Sequence, residues 1–165
     1  MDVDALIREA GSLTKTQFAV KYPHLFFVFH EEPDTGEVQF KTEVAHKGST
    51  LSWAGMLSVV AIVKSPNNPY ADRISIGRAR NCDVVLRHRS ISKLHAHVRR
   101  DADGSWTLHD ASSHNGTAIG GLQVASGGSS RIKNGEVVTL GALTLRVVDA
   151  ESLHDALARM QHAAR

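Results

Sequence analysis

An all-β fold is what this 165-residue sequence predicts: an antiparallel β-sandwich with a helix-and-hairpin extension before it and a short helix after it. Three observations carry that expectation. Across 57–149, short apolar runs alternate with Asn, Asp, Gly and Ser clusters, the pattern of strands separated by turns. Helical periodicity is confined to the two ends of the chain. The hydrophobic content of 42% is enough for one core, and the length suits one domain plus an extension.

Residues 1–56 read as the extension, packing on the sandwich or mediating dimerisation. Val3, Leu6, Ile7 and Ala10 recur at helical spacing with Asp2 and Asp4 early and Gly11 as a stop, which predicts a first helix. The aromatic density that follows Pro23, at 25–29, reads as a strand. Val38, Phe40, Thr42 and Val44 alternate with polar residues, and Asp34-Thr35-Gly36 offers turn chemistry, so 25–44 is expected to be a hairpin. From 57 on, LSVVAIVK, RISIGR, DVVL, HAHVRRD, SWTLHD, TAIG, GEVVTLG and LTLRVVD are the candidate strands. Asp103-Gly104 and Asn134-Gly135 are hairpin dipeptides, Gly120-Gly121 supplies a tight turn, and SGGSS at 126–130 reads as a loop tip. In 151–165, Leu153, Ala156, Leu157 and Met160 share one helical face, with Asp149 or Ser152 as cap; a helix this short needs a surface to dock on.

Composition narrows the function. Nineteen Lys and Arg against seventeen Asp and Glu leave a formal charge of +2, too little to announce a nucleic-acid binder. Cys82 is the lone cysteine, which excludes an intrachain disulfide and an all-cysteine zinc site. The longest apolar stretch, 53–63, falls well short of the ~20 residues of a membrane span. Asp2, Asp4 and Glu9 stand where a signal peptide has basic and then apolar residues, so a soluble cytoplasmic protein is expected. Charge is uneven, however. Residues 73–100 hold eight basic residues and one acid, Asp83, a local positive field suited to an anionic partner.

Four spaced elements occur in order inside this region and just beyond it: Gly77-Arg78, Asn81-Cys82-Asp83, Ser92-Lys93-Leu94-His95 and Asn115-Gly116-Thr117. With Asp110 ahead of Ser112 and Ser113, and the later NGEVVTLG, they make 57–150 resemble the forkhead-associated (FHA) domain family, of the bacterial, single-domain kind. The resemblance implies an FHA/SMAD-like sandwich of about eleven strands, whose loops at one end bind phosphothreonine peptides and which needs no cofactor or metal. It implies a signalling adaptor whose partner is a protein phosphorylated by a Ser/Thr kinase, with no catalysis, nucleic acid or membrane involved.

By that resemblance Arg78 is the main phosphate contact and Ser92 donates its hydroxyl. The chemistry suits them. A phosphate monoester carries about −1.5 to −2 charges and three acceptor oxygens, and a guanidinium is a permanently charged planar fork of donors. Lys93, where the family often has Asn or Arg, adds a point charge on a flexible stem. Asn115 is expected to bond the peptide backbone, since a carboxamide both donates and accepts. His114 departs from the Ser or Thr of many relatives; its imidazole either replaces their hydroxyl or faces solvent. Gly77, His95 and Gly116 are expected to support the site structurally, and Asp83 and Asp110 to cap loops.

Other readings of the same residues remain open at this level. Ser92, His95 and Asp110 have the chemistry of a hydrolytic triad. His95-x-His97 would point to one sheet face and start a metal site. The basic stretch would suit nucleic acid, although no aromatic residues lie in it for stacking. A phospho-independent scaffold using the sandwich or the extension is the alternative within the fold.

Overall fold

The computed structural model describes residues 1–30 and 57–163. Among them eleven strands form two sheets, flanked by α1 (Val3–Ser12), α2 (Lys15–Lys21) and α3 (Ala150–Ala163). One sheet has the order β2-β1-β11-β10-β7-β8, built from β1 (Phe26–His30), β2 (Leu57–Ala61), β7 (Thr117–Ile119), β8 (Leu122–Val124), β10 (Val137–Leu140) and β11 (Leu143–Val148). The other has the order β4-β3-β5-β6-β9, built from β3 (Ile74–Gly77), β4 (Val84–Val85), β5 (Ala96–Arg100), β6 (Trp106–Asp110) and β9 (Ser129–Ile132). All paired strands are antiparallel except β3 and β4, which run parallel.

Strand β1 explains the apolar run that has no polar face. It lies between β2 and β11, with Phe26 opposite both Ala61 and Val148. Phe27 and Phe29 point between the sheets, into a core with Ile76, Val98, Leu108 and Leu140. Phe26 faces the other way, into a second apolar layer with Leu6, Ala10, Phe18, Val59, Leu153 and Leu157. A strand covered on both faces reads as continuous hydrophobicity rather than alternation. The segment read as an extension therefore supplies a strand of the sheet itself. The second half of the expected hairpin, 38–44, lies outside the described residues.

The helices cover the outer face of β1 and β2. Gly11 is within α1, not a stop, and its open side faces the amide end of the Gln161 side chain from α3. Helix α2 went unread, although Thr14-x-x-Gln17 is a capping box: Thr14 Oγ1 accepts from Gln17 N at 3.3 Å and Gln17 Oε1 accepts from Thr14 N at 2.9 Å. Asp149 caps α3, its Oδ1 accepting from Ser152 N at 2.8 Å. Two turn readings need correcting. Asn134-Gly135 joins β9 to β10 across the two sheets rather than closing a hairpin. There Asn134 Oδ1 accepts from Asp149 N and its Nδ2 donates to Ser152 Oγ, tying the crossover to the start of α3. The Ser/Gly segment at 126–130 is not all loop, because Ser129 opens β9 and pairs with His109.

Candidate functional site at the loop end of the sandwich

Strands β3, β4, β6 and β10 release their loops at one end of the sandwich, and four connections meet there: 78–83, 86–95, 111–116 and the turn at 141–142. Backbone bonds set their spacing. Arg78 N donates to Ser92 O at 2.9 Å and Ala79 N to Lys93 O at 3.0 Å, so the loop after β3 runs alongside 92–93. Gly77 is required for this approach, since a Cβ would overlap the Lys93 carbonyl oxygen. The exposed Arg78 side chain is steadied by one bond, Nε to Ile91 O at 3.1 Å, and its terminal nitrogens have no partner among the described residues.

His95 locks the junction from within. It is fully buried, its Nδ1 accepts from Ser92 N at 3.1 Å, and its Nε2 lies 3.1 Å from Gly116 O. Acceptance at Nδ1 puts the proton on Nε2, which donates to the carbonyl. Burial lowers the His95 pKa, outweighing the opposing pull of the Gly116 bond and of Asp110, so the ring is held neutral. One side chain thus fixes the Ser92 loop to the Asn115 loop. Gly116 has φ +81°, and its carbonyl also accepts from Gly141 N at 2.9 Å.

The polar surface of the site stands on that frame. Ser92 Oγ accepts from His114 N at 3.0 Å, which leaves its hydroxyl proton to donate outward. Asn115 Nδ2 donates to Ser90 O at 2.8 Å, which leaves its Oδ1 free of described partners. Lys93 and the His114 ring are exposed.

Two carboxylates organise the loops from below. Asp110 is 4% exposed; Ser113 Oγ and Thr117 Oγ1 donate to its Oδ1 at 2.6 and 2.7 Å, Ser113 N to its Oδ2 at 3.1 Å. Burial raises this carboxyl, but the bonds together hold it below the ordinary carboxylate value. Asp83 is held low in the same way, with Ser75 N and Oγ, Ser65 N and Asn68 Nδ2 all donating to it. The Cys82 thiol is buried, bonded to Lys93 O at 3.2 Å and pushed up by burial, so it is no nucleophile.

The structure thus brings Arg78, Ser92, Lys93, His114 and Asn115 to one end, over Gly77, His95 and Gly116. It does not assemble the triad, because neither His95 nitrogen addresses Ser92 Oγ. It does not assemble the metal pair either. His97 lies on the outer sheet face, stacked on His109 with centroids 4.7 Å apart, while His95 faces inward. Among the described residues no group of three or more His, Cys, Asp or Glu is placed to hold a metal, and no helix is long and apolar enough to cross a membrane.

Ser90, which the family resemblance marks with Arg89 as a place where flanking-residue preferences are set, is also a structural centre. Besides receiving Asn115 through its carbonyl, it places its Oγ 2.7 Å from His88 Nδ1 and accepts from Ala142 N at 2.9 Å. Gly141, at φ +59°, leaves room for it, since a Cβ would stand 2.5 Å from Ser90 O. No local signal reveals a contact that spans 52 residues.

A two-sheet sandwich that gathers a guanidinium, a serine hydroxyl and a carboxamide on braced loop tips defines the class: a β-scaffold protein with an anion-facing loop site. The family follows. Residues 74–141 match the model of the FHA domain, and this part of the chain is an FHA domain. The solution structure of the FHA domain of an Arabidopsis thaliana hypothetical protein superposes with a TM-score of 0.51 at 21% identity, covering 76% of this chain and 85% of that one. The N-terminal FHA domain of Saccharomyces cerevisiae Rad53p, solved in complex with a phosphothreonine peptide, gives 0.50 at 17% identity, covering 80% and 98%. The FHA domain of CT664 from Chlamydia trachomatis gives 0.49 at 20% identity, covering 76% and 97%. Comparison with curated proteins yields no match.

Proposed function

We propose that the chain is a phosphothreonine-peptide-binding adaptor, a reader of kinase-modified partners rather than an enzyme. Its lone thiol suits the reducing conditions of the cytoplasm. The observation that carries the reading is the pairing of Arg78 with Ser92. They lie on neighbouring loops joined by a 2.9 Å backbone bond, with the guanidinium exposed and the hydroxyl proton uncommitted. In this reading Arg78 grips the phosphate through its terminal nitrogens and Ser92 donates to a third oxygen. Lys93 adds charge, His114 borders the phosphate, and Asn115 bonds the peptide backbone through Oδ1. Gly77, His95 and Gly116 hold those groups in place. The ligand class agrees with that of the Rad53p relative.

Charge-assisted hydrogen bonds contribute roughly 1.5–3 kcal/mol each. Three or four of them, reduced by the cost of ordering a peptide, give about −7 to −8 kcal/mol, a micromolar affinity. Calorimetry with a phosphothreonine peptide and its unphosphorylated twin is the test. Only the phosphorylated form should bind, and Arg78→Ala or Ser92→Ala should abolish detectable heat while leaving the circular dichroism spectrum unchanged. Affinity retained in both variants would overturn the assignment.

A further inference from the structure

The loop end holds more positive charge than one phosphate neutralises. Arg78, Arg80, Arg87, Arg89 and Lys93 are all exposed there, and none forms an ion pair with a described residue. Among the described residues, the two carboxylates of these loops are already engaged: Asp83 and Asp110 spend their oxygens on Ser, Thr, Asn and backbone donors. Elsewhere several cations do find acids, although Arg8, Lys64, Arg100, Lys133, Arg146 and Arg159 also form no ion pair with a described residue. Arg73 and Arg99 share Asp72, Arg131 meets Asp103, Lys15 meets Asp155, and Lys21 meets Glu9.

The five cations are also held close to the proposed ligand path. Arg89 precedes Ser90, whose carbonyl receives Asn115. Arg87 follows Leu86, whose N–H is bonded to Gly77 O at 3.0 Å, one residue from Arg78. Arg80 follows Ala79, bonded to Lys93 O. A bound phosphate brings about −2, which leaves a surplus of roughly three positive charges on the described residues of this end. An extended peptide advances about 3.3–3.6 Å per residue, so two residues on either side of the phosphothreonine stay within a Debye length of about 8 Å.

We infer that the site selects phosphothreonine peptides carrying acidic residues beside the modified threonine, and that Arg87 and Arg89 read those acids. The inference rests on the phosphothreonine reading and sharpens it. Both arginines are exposed and their side chains bond no described residue, which leaves them available to the ligand.

The experiment compares three peptides by calorimetry at low and high salt: a phosphothreonine peptide with Asp and Glu flanks, the same peptide with Asn and Gln flanks, and the unphosphorylated acidic peptide. Wild-type protein should bind the first about threefold to tenfold more tightly than the second at low salt, with the ratio shrinking as salt rises. The double variant Arg87→Gln/Arg89→Gln should still bind the neutral phosphopeptide, with the ratio reduced to roughly one. Equal affinity of wild type for both phosphopeptides would overturn the inference while leaving the phosphothreonine reading intact, as would discrimination that survives in the double variant. Binding of the unphosphorylated acidic peptide as tight as that of its phosphorylated form would overturn both.

Discussion

At the loop end, His95 and Asp110 are buried and Asp83 half-buried, and each is held by several hydrogen bonds. The helical layer on the far sheet face is the opposite. Leu6, Phe18, Phe26, Leu153 and Leu157 pack there as an apolar cluster, with polar contacts such as Tyr22 to Glu9 and His154 to Leu13 O around it. The buried side-chain atoms that lack a hydrogen-bond partner among the described residues, His24 Nε2 and His154 Nδ1, lie beside it. The contrast separates two jobs. Burial of apolar surface is non-directional and supplies stability; a fully satisfied polar network fixes where particular atoms stand. The helical layer holds the sheet together, and the loop network aims the donors.

The largest effect that would sharpen this division is Leu157→Ala. Removing a fully buried leucine from the layer should cost about 2–5 kcal/mol of unfolding free energy, read by denaturant titration, with phosphopeptide affinity unchanged at temperatures where the protein is folded. Gly141→Ala should do the reverse in emphasis. A side chain at φ +59° against Ser90 costs about 1–3 kcal/mol, but the displaced Ser90 carbonyl also releases Asn115. Affinity should therefore fall, and in an Asn115→Ala background Gly141→Ala should lower it no further. Additive losses in that cycle would break the proposed link.

The smallest effect is that of mild acid. His24, His95, His97 and His109 all titrate below the ordinary value of 6.5, burial being the first cause in each. The unfolded chain binds protons first as pH falls, so stability is fully present above about 6.5 and declines below it. Asp83 and Asp110 add a second decline once pH passes below the usual carboxylate value of 3.8. Melting temperature followed from pH 8 to 3 should drop in these two stages; a flat profile across pH 7 to 5 would mean that the buried imidazoles are not held neutral.

Much of the architecture was legible because strand periodicity and turn composition are local. RISIGR, HAHVRRD, SWTLHD and LTLRVVD fall where β3, β5, β6 and β11 lie. Strand β9 was not legible, since Ser129 and Ser130 have the composition of a loop and become strand only by pairing with β6. Helix α2 was missed because aromatic residues just after it outweighed the capping signal at Thr14. The parallel pairing of β3 with β4 follows from the tight Arg78–Asp83 turn and not from any periodicity. In the site, Gly77-Arg78, Ser92-x-x-His95 and Asn115-Gly116 stood out because each is a contiguous motif. The bracing of Ser90 by the turn at Gly141 did not, because it lies in a contact between distant stretches.

The seat of β1 between β2 and β11 bears on any attempt to transplant the loop reader. Among the described strands β2 joins its sheet through β1, so a fragment trimmed to the family match at 74–141 would forfeit three adjacent ribbons, β2, β1 and β11, together with the roof that the helices form over them. The portable unit is a larger one: the opening thirty residues must travel with the loops.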